Sequence, residues 1–354
     1  MSRRILVLTF FSLVALVASF VERRAFGEIP TVGVVGDSYS DEYRFYPPDR
    51  ATTRNWVELL AESRRLDFGS YSDASKGEPR NSGYTLNWAR SDAESGDAIS
   101  SGQHVGLARQ ITEDRVQYAV VFIGGNDFIH ALHSPSADER LAAVEAATIR
   151  NHRRIVRTLL DSSPKARVLL VTVPDIFELP EFAQSVSDGR IPRRRVAAYR
   201  AALGRFNAEI RNWAASDPRV GLADFDRFSM LSIRLDSRRT LLAGHVLDRA
   251  EPANDLRHLF LADERHLGPV GQALFAKLIV DALIAEFSAP IRPLGFGEAY
   301  RLAERNFRPN GTIAAKVEDS SAIDGTATRS SGPWTPLVPT TLRRAGSDSS
   351  LGGR

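Results

Sequence analysis

Three short segments of the sequence carry side chains that can act together in acyl chemistry. Gly36-Asp37-Ser38-Tyr39-Ser40-Asp41 offers a serine hydroxyl just after an apolar run, beside a glycine that permits a tight turn. Gly124-Gly125-Asn126-Asp127 follows a second apolar run and offers a side-chain amide. Far downstream, Asp263-Glu264-Arg265-His266 places a carboxylate three residues before an imidazole, so both can lie on one side of a turn. The carboxylate can then accept from one ring nitrogen and leave the other free as a base. A hydroxyl is a poor nucleophile until such a base takes its proton. Ser38, His266 and Asp263 supply these parts, and Asn126 supplies an N–H donor for an oxyanion. Taken singly, each segment also fits an ordinary turn.

What joins them is the pattern of the elements between. Thr31–Val35, Val116–Ile123, Arg167–Val173 and Val220–Ala223 are apolar enough to be strands buried on both faces. Helical periodicity predicts helices over about Arg54–Arg64, Ala137–Leu160, Arg193–Ala215 and Gly268–Phe287. Strands alternating with longer helices imply parallel pairing through crossovers, a doubly wound α/β layer sandwich. In such sheets reactive residues gather where strand C-termini meet the following loops, and that is where the serine and asparagine segments fall.

These residues resemble the GDSL lipase/esterase family, also called SGNH hydrolases, over roughly Val32 to Ala285. Three blocks carry the resemblance: Gly36-Asp37-Ser38-Tyr39-Ser40-Asp41, Gly124-Gly125-Asn126-Asp127 and Asp263-Glu264-Arg265-His266. It implies a three-layer α/β/α sandwich with a central parallel sheet, flavodoxin-like, and needs neither metal nor cofactor. By resemblance, Ser38 is the nucleophile, His266 the base and Asp263 its orienting acid. Asn126 and the Ser38 N–H would bind the oxyanion. Tyr39 replaces the leucine that names the first block, at a position outside the chemistry.

Asn87-Trp88-Ala89-Arg90-Ser91-Asp92-Ala93 looks like the remaining block, in which a glycine lends its backbone N–H to the oxyanion; here that position holds Asp92. Aspartate tolerates positive φ better than most residues but less well than glycine. A carboxylate pointing inward would oppose the developing negative charge. An outward side chain, a retained Asp92 N–H, or replacement by Ser91 or Gly96 would each spare the reaction.

Composition narrows the field further. The 354-residue chain contains no cysteine, so thiol nucleophiles, disulfide frameworks and Cys-based metal sites are excluded. Its net charge of +3 comes from Arg3, Arg4, Arg23 and Arg24 against Glu22, and the neutral remainder argues against a nucleic-acid partner. No Gly-x-Ser-x-Gly, Gly-x-x-x-x-Gly-Lys or His-Glu-x-x-His motif occurs. His130 and His133 could pair on a metal, but no obvious third ligand accompanies them, and bordering the cleft is the simpler reading. His245 and His258 flank a segment expected over the site, and Arg193-Arg194-Arg195 reads as a solvated face. Trp88, Tyr39, Phe128 and Tyr43 adjoin motif residues and are expected either to wall the cleft or to pack in the core.

At the N-terminus two arginines precede the uncharged run Ile5–Val21 and then Ala25-Phe26-Gly27, the pattern of an export signal over residues 1–27. A retained membrane anchor is the competing reading, and both place the remainder, a hydrolase domain over 28–305, outside the cytoplasm. From about Asn306 the composition turns to Ser, Thr, Gly and Pro, which predicts a disordered tail; Asn310-Gly311-Thr312 there fits a glycosylation sequon. The expectation is an exported serine ester hydrolase acting on short-chain acyl, lipid or acetylated-sugar esters, or a relative transferring the acyl group to a sugar. Membrane association would come through the N-terminal segment. The alternative is a catalytically impaired surface protein of the same fold that binds glycan or lipid.

Overall fold

The computed structural model describes residues 28–309 except 74–81, 135, 228–232, 235, 237 and 243. The expected signal or anchor, the sequon and nearly all of the expected tail lie outside the described residues. Four parallel strands form the central sheet in the order β1 (Val32–Gly36), β2 (Tyr118–Phe122), β3 (Val168–Val171) and β4 (Val220–Ala223). β1 pairs with β2 from Val32↔Tyr118 to Gly36↔Phe122, which brings the two strand ends level. All five residues of β1 and of β2 are buried, as expected of strands covered on both faces.

The outer margin of β1 is occupied by a fifth segment that sequence periodicity did not reveal, because it is split. Val32 N–H donates to the Asp67 carbonyl (2.8 Å) and Asp67 N–H to that of Pro30 (2.9 Å). The chain then leaves on a hairpin, Tyr71–Ser72 against Gly83–Tyr84. It returns to pair Val34 N–H with Leu86 (3.0 Å), Trp88 N–H with Val34 (2.9 Å) and Arg90 N–H with Gly36 (3.0 Å). With this segment counted as second in the chain, the order across the sheet is 2-1-3-4-5, the flavodoxin-like arrangement.

Helices cover both faces. On one lie α1 (Trp56–Glu62), α8 (Pro269–Phe287) and α9 (Phe296–Asn306); α8 packs on β4 and against α1 and α9. On the other lie α2 (Ser95–Ser100), α3 (Gln103–Thr112), α4 (Gly125–His133), α5 (Ala137–Asp161) and α7 (Arg193–Ser216), with α6 (Pro180–Ser187) beside the sheet end. α1 begins with a capping box, Asn55 accepting from Glu58 N–H while the Glu58 carboxylate accepts from Asn55 N–H. α8 starts with Pro269 at its first turn and is buried on nearly every side, which explains its apolar character all round. Between β4 and the histidine turn the chain adds a three-stranded antiparallel sheet, Ile233–Arg234, Arg239–Leu242 and His245–Asp248. No described helix is long and apolar enough to cross a membrane.

Candidate active site

Ser38 stands two residues beyond the end of β1, in a turn knitted by Asp37. The Asp37 carbonyl accepts from Ser40 N–H (3.0 Å) and Asp41 N–H (2.9 Å), and its carboxyl accepts from Tyr39 N–H (3.0 Å). A side chain at Gly36 would meet the Phe122 carbonyl and Ser40 at 3.0–3.1 Å, so anything larger than glycine would push the strand end away by a few tenths of an ångström. The Ser38 hydroxyl Oγ lies 2.8 Å from His266 Nε2. His266 Nδ1 in turn lies 2.7 Å from Asp263 Oδ2.

The histidine turn is rigid for local reasons. Asp263 Oδ1 accepts from the N–H groups of His266 (3.0 Å) and Arg265 (3.2 Å), and Glu264 takes the left-handed conformation at φ 64°. Leu261 N–H donates to the His266 carbonyl and Gly268 N–H to that of Leu259, both at 2.8 Å, so the turn closes directly onto the start of α8. The imidazole lies between the rings of Tyr39 and Tyr43, whose centroids are 5.6 and 5.8 Å away. The Tyr39 hydroxyl donates to the Arg265 carbonyl (2.8 Å), so this side chain, at a position read as outside the chemistry, ties the serine turn to the histidine turn. Tyr43 is held by Gln272 Nε2 (2.6 Å), and Gln272 Oε1 accepts from Trp56 N–H (3.0 Å).

Burial drives the His266 pKa down against the opposing pull of Asp263, so the ring is a neutral base at neutral pH. Burial works to raise Asp263, but the hydrogen bond and charge of His266 and the two backbone donors outweigh it and bring the carboxyl down to about 2. The acid therefore stays ionised and fixes the Nδ1–H tautomer that leaves Nε2 facing Ser38.

β2 hands over to α4 through Gly124, at φ 121°, a conformation that favours glycine. Asn126 is thereby placed in the first turn of α4, buried and facing the same cavity as Ser38. Its Nδ2 donates one hydrogen to the Ala93 carbonyl (3.0 Å), which fixes the amide and leaves the second hydrogen available. Asp92 follows two residues after the Arg90–Gly36 bond, at φ 68°. Its side chain is 72% exposed and turned to His130, with Oδ1 3.1 Å from Nε2. Among the described residues the N–H groups of Ser38 and Asp92 donate to no protein acceptor. Of the other ways to spare the reaction, Ser91 spends its N–H on Asp41 (2.7 Å), and Gly96, in the first turn of α2, does not line the cavity beside Ser38.

Beside Ser38 lies a small cavity of about 40 Å³, walled by Phe122, Ile129, Val173, Pro174, Ile176 and Leu179, with Arg265 at its edge. Arg265 is held by a two-pronged pair with Glu181 (2.7 Å each), and His133 Nε2 lies 3.3 Å from the same carboxylate. His130 and His133 thus pair with carboxylates separately; among the described residues no cluster of His, Asp and Glu could hold a metal ion.

Of the four aromatics, Tyr39 and Tyr43 flank the imidazole, whereas Phe128 is fully buried against Phe206 and Trp88 bonds Gln110 and lies over Gly106. These two belong to the packing. His245 stacks on Tyr300 of α9 at 3.4 Å and His258 bonds Asp255 (2.6 Å); the segment between them meets Asp49 through Asn254 and Glu178 through Arg249. Arg193 and Arg194 are exposed, and Arg195 pairs with Asp138. Arg265, Glu181 and Gln272 went unread in the sequence; only Arg265 had a signal, its place inside the Asp-x-x-His block.

The family model for GDSL-like lipase/acylhydrolase proteins matches residues 32–279. The chain belongs to this family. No curated protein matches the sequence. Among solved structures, the GDSL chain is similar to the C-terminal catalytic domain of Streptococcus pneumoniae peptidoglycan O-acetyltransferase A: 14% identity, 75% of this chain and 99% of that one, TM-score 0.37. It is also similar to a Clostridium thermocellum family 3 carbohydrate esterase, at 13% identity over 74% and 99%, TM-score 0.40. An extracellular lipase from Streptomyces rimosus aligns at 18% identity over 72% and 99%, TM-score 0.38.

Proposed function

We propose that this GDSL-family protein is a serine ester hydrolase that removes short acyl groups, acetyl above all. The observation that carries the reading is the relay Ser38 Oγ–His266 Nε2 at 2.8 Å and His266 Nδ1–Asp263 Oδ2 at 2.7 Å, at the mouth of an apolar cavity. Ser38 Oγ attacks the ester carbonyl as its proton passes to His266. The imidazolium gives that proton to the departing alcohol oxygen as the C–O bond breaks, leaving an acyl-serine. Water then loses a proton to His266, attacks the acyl carbon, and the acid departs as Ser38 regains its proton. Oxyanion donors in this reading are the Ser38 and Asp92 N–H groups and Asn126 Nδ2.

Acyl length is read from the site: the apolar cavity beside Ser38 is small, which favours a short acyl group such as acetyl. With the Asp92 carboxylate turned to His130, no observation favours an impaired binding protein. Export, and membrane association through residues 1–27, are proposed from the N-terminal pattern alone.

The test is hydrolysis of p-nitrophenyl acetate by the full chain, with fluorophosphonate labelling mapped to a peptide. Ser38→Ala is expected to lower kcat by at least about 10³-fold and to remove the label from the Ser38 peptide. Turnover that survives the substitution, or a label on another residue, refutes the mechanism. Preference for octanoyl over acetyl esters refutes the acyl-length assignment.

A further inference from the structure

Four consecutive residues, from the loop after the split segment into the first residue of α2, are each fastened to α4. His130 Nε2 meets Asp92 Oδ1 (3.1 Å), Asn126 Nδ2 holds the Ala93 carbonyl (3.0 Å), His130 Nδ1 meets Glu94 Oε1 (2.8 Å), and Asp127 accepts from Ser95 N–H (2.8 Å) and Oγ–H (2.6 Å). Asn126 and His130 are four apart and so share one face of the helix. One of the two is a candidate oxyanion donor. The other grips the side chain of the residue whose N–H is a second candidate donor.

Position 92 has a conformational problem that this grip addresses. At φ 68° a glycine would rest without strain, while aspartate is there at a cost and can relax toward negative φ, swinging its N–H away. A side chain tethered at its carboxylate resists that rotation. The tether is completed by Glu94 two residues on, since a ring with a proton on both nitrogens donates to both carboxylates at once.

We propose that His130 is a positioning residue for the oxyanion site, holding Asp92 in the left-handed conformation that presents its N–H to the substrate carbonyl oxygen. His130 touches neither Ser38 nor the acyl cavity, and acts only through residue 92. Asp92 and His130 form one device: the imidazole substitutes for the conformational freedom that glycine would bring.

The test is a double-mutant cycle on the full chain with p-nitrophenyl acetate. His130→Ala is expected to lower kcat by about ten- to a hundredfold with KM within twofold, as for loss of a group that acts in the transition state. In an Asp92→Gly background, where residue 92 needs no tether, the same substitution is expected to change kcat by less than about twofold. Equal losses in both backgrounds, or no loss in either, overturn the proposal. Should His130→Ala fail to fold, as judged by thermal melting, His130→Phe in both backgrounds replaces it, removing the tether while keeping a ring.

The rate arm rests on the ester-hydrolase reading, and a structural arm does not. Crystal structures of the variants are expected to show Asp92 away from φ near 68° when the imidazole is lost, while the glycine of the double variant keeps that conformation. Asp92 at its present φ without the imidazole overturns the proposal whether or not any ester is hydrolysed. Absence of Ser38-dependent turnover in the natural protein overturns only the functional reading.

Discussion

Asp37 shows how much one buried group beside a nucleophile can matter. Burial pushes its carboxyl up to about 7 against the hydrogen bond from Tyr39 N–H, with the charges of Asp127 and Asp92 adding to the rise. The native state therefore holds a proton that the unfolded chain has already released between about pH 4 and pH 7, and stability from this group falls as pH rises through that window. Asp37→Asn keeps the acceptor for Tyr39 and cannot ionise. Its stability relative to the natural protein, measured by urea unfolding, is expected to be higher at pH 8 than at pH 5; a difference independent of pH would contradict the assignment. Legibility at this scale followed chemistry. Ser38, Asn126, Asp263 and His266 were readable because each stands at a strand end or turn in a spacing that makes sense alone. Tyr39 was not, since its partner is a backbone carbonyl 226 positions away.

Elements deliver these side chains, and the junction after β2 is the most exacting. Gly124 combines φ 121° with Phe206 and Thr148 at 3.0–3.2 Å from where a Cβ would stand, so Gly124→Ala meets backbone strain and a clash together. The expected loss is about 1–3 kcal/mol of stability, read by urea unfolding, with the activity of the folded fraction also reduced because Asn126 hangs on this turn. Full activity and stability in the variant would show that the junction adapts. The four strands and the helices around 137–160, 193–215 and 268–287 were legible because burial imposes uninterrupted or periodic apolar runs on them. The split segment at Asp67 and Leu86–Arg90 was not, because neither half is long enough to show a period. The antiparallel strands between β4 and the histidine turn are only two to four residues long, too short to show a pattern.

Across the whole molecule, the serine and its base come from opposite ends of the domain's sequence, and α8 begins just after the histidine turn. Phe275 on this helix is fully buried, with ring centroids 4.6 Å from Phe225, 5.2 Å from Phe122 and 5.9 Å from Trp56. Phe275→Ala is expected to cost about 3–5 kcal/mol, read by urea unfolding, while molecules that remain folded keep their turnover. Loss of turnover without loss of stability would mean that the helix tunes the site directly. The hairpin that divides the outer segment has a separate consequence. Its two ends are pinned to each other, Leu86 N–H to the Phe68 carbonyl (3.0 Å) and Thr85 N–H to that of Ser70 (2.9 Å), before either half meets β1. Extra sequence spliced between those pins need not disturb the register on either side, which makes this bend a natural port for grafting a recognition module at the outer margin of β1.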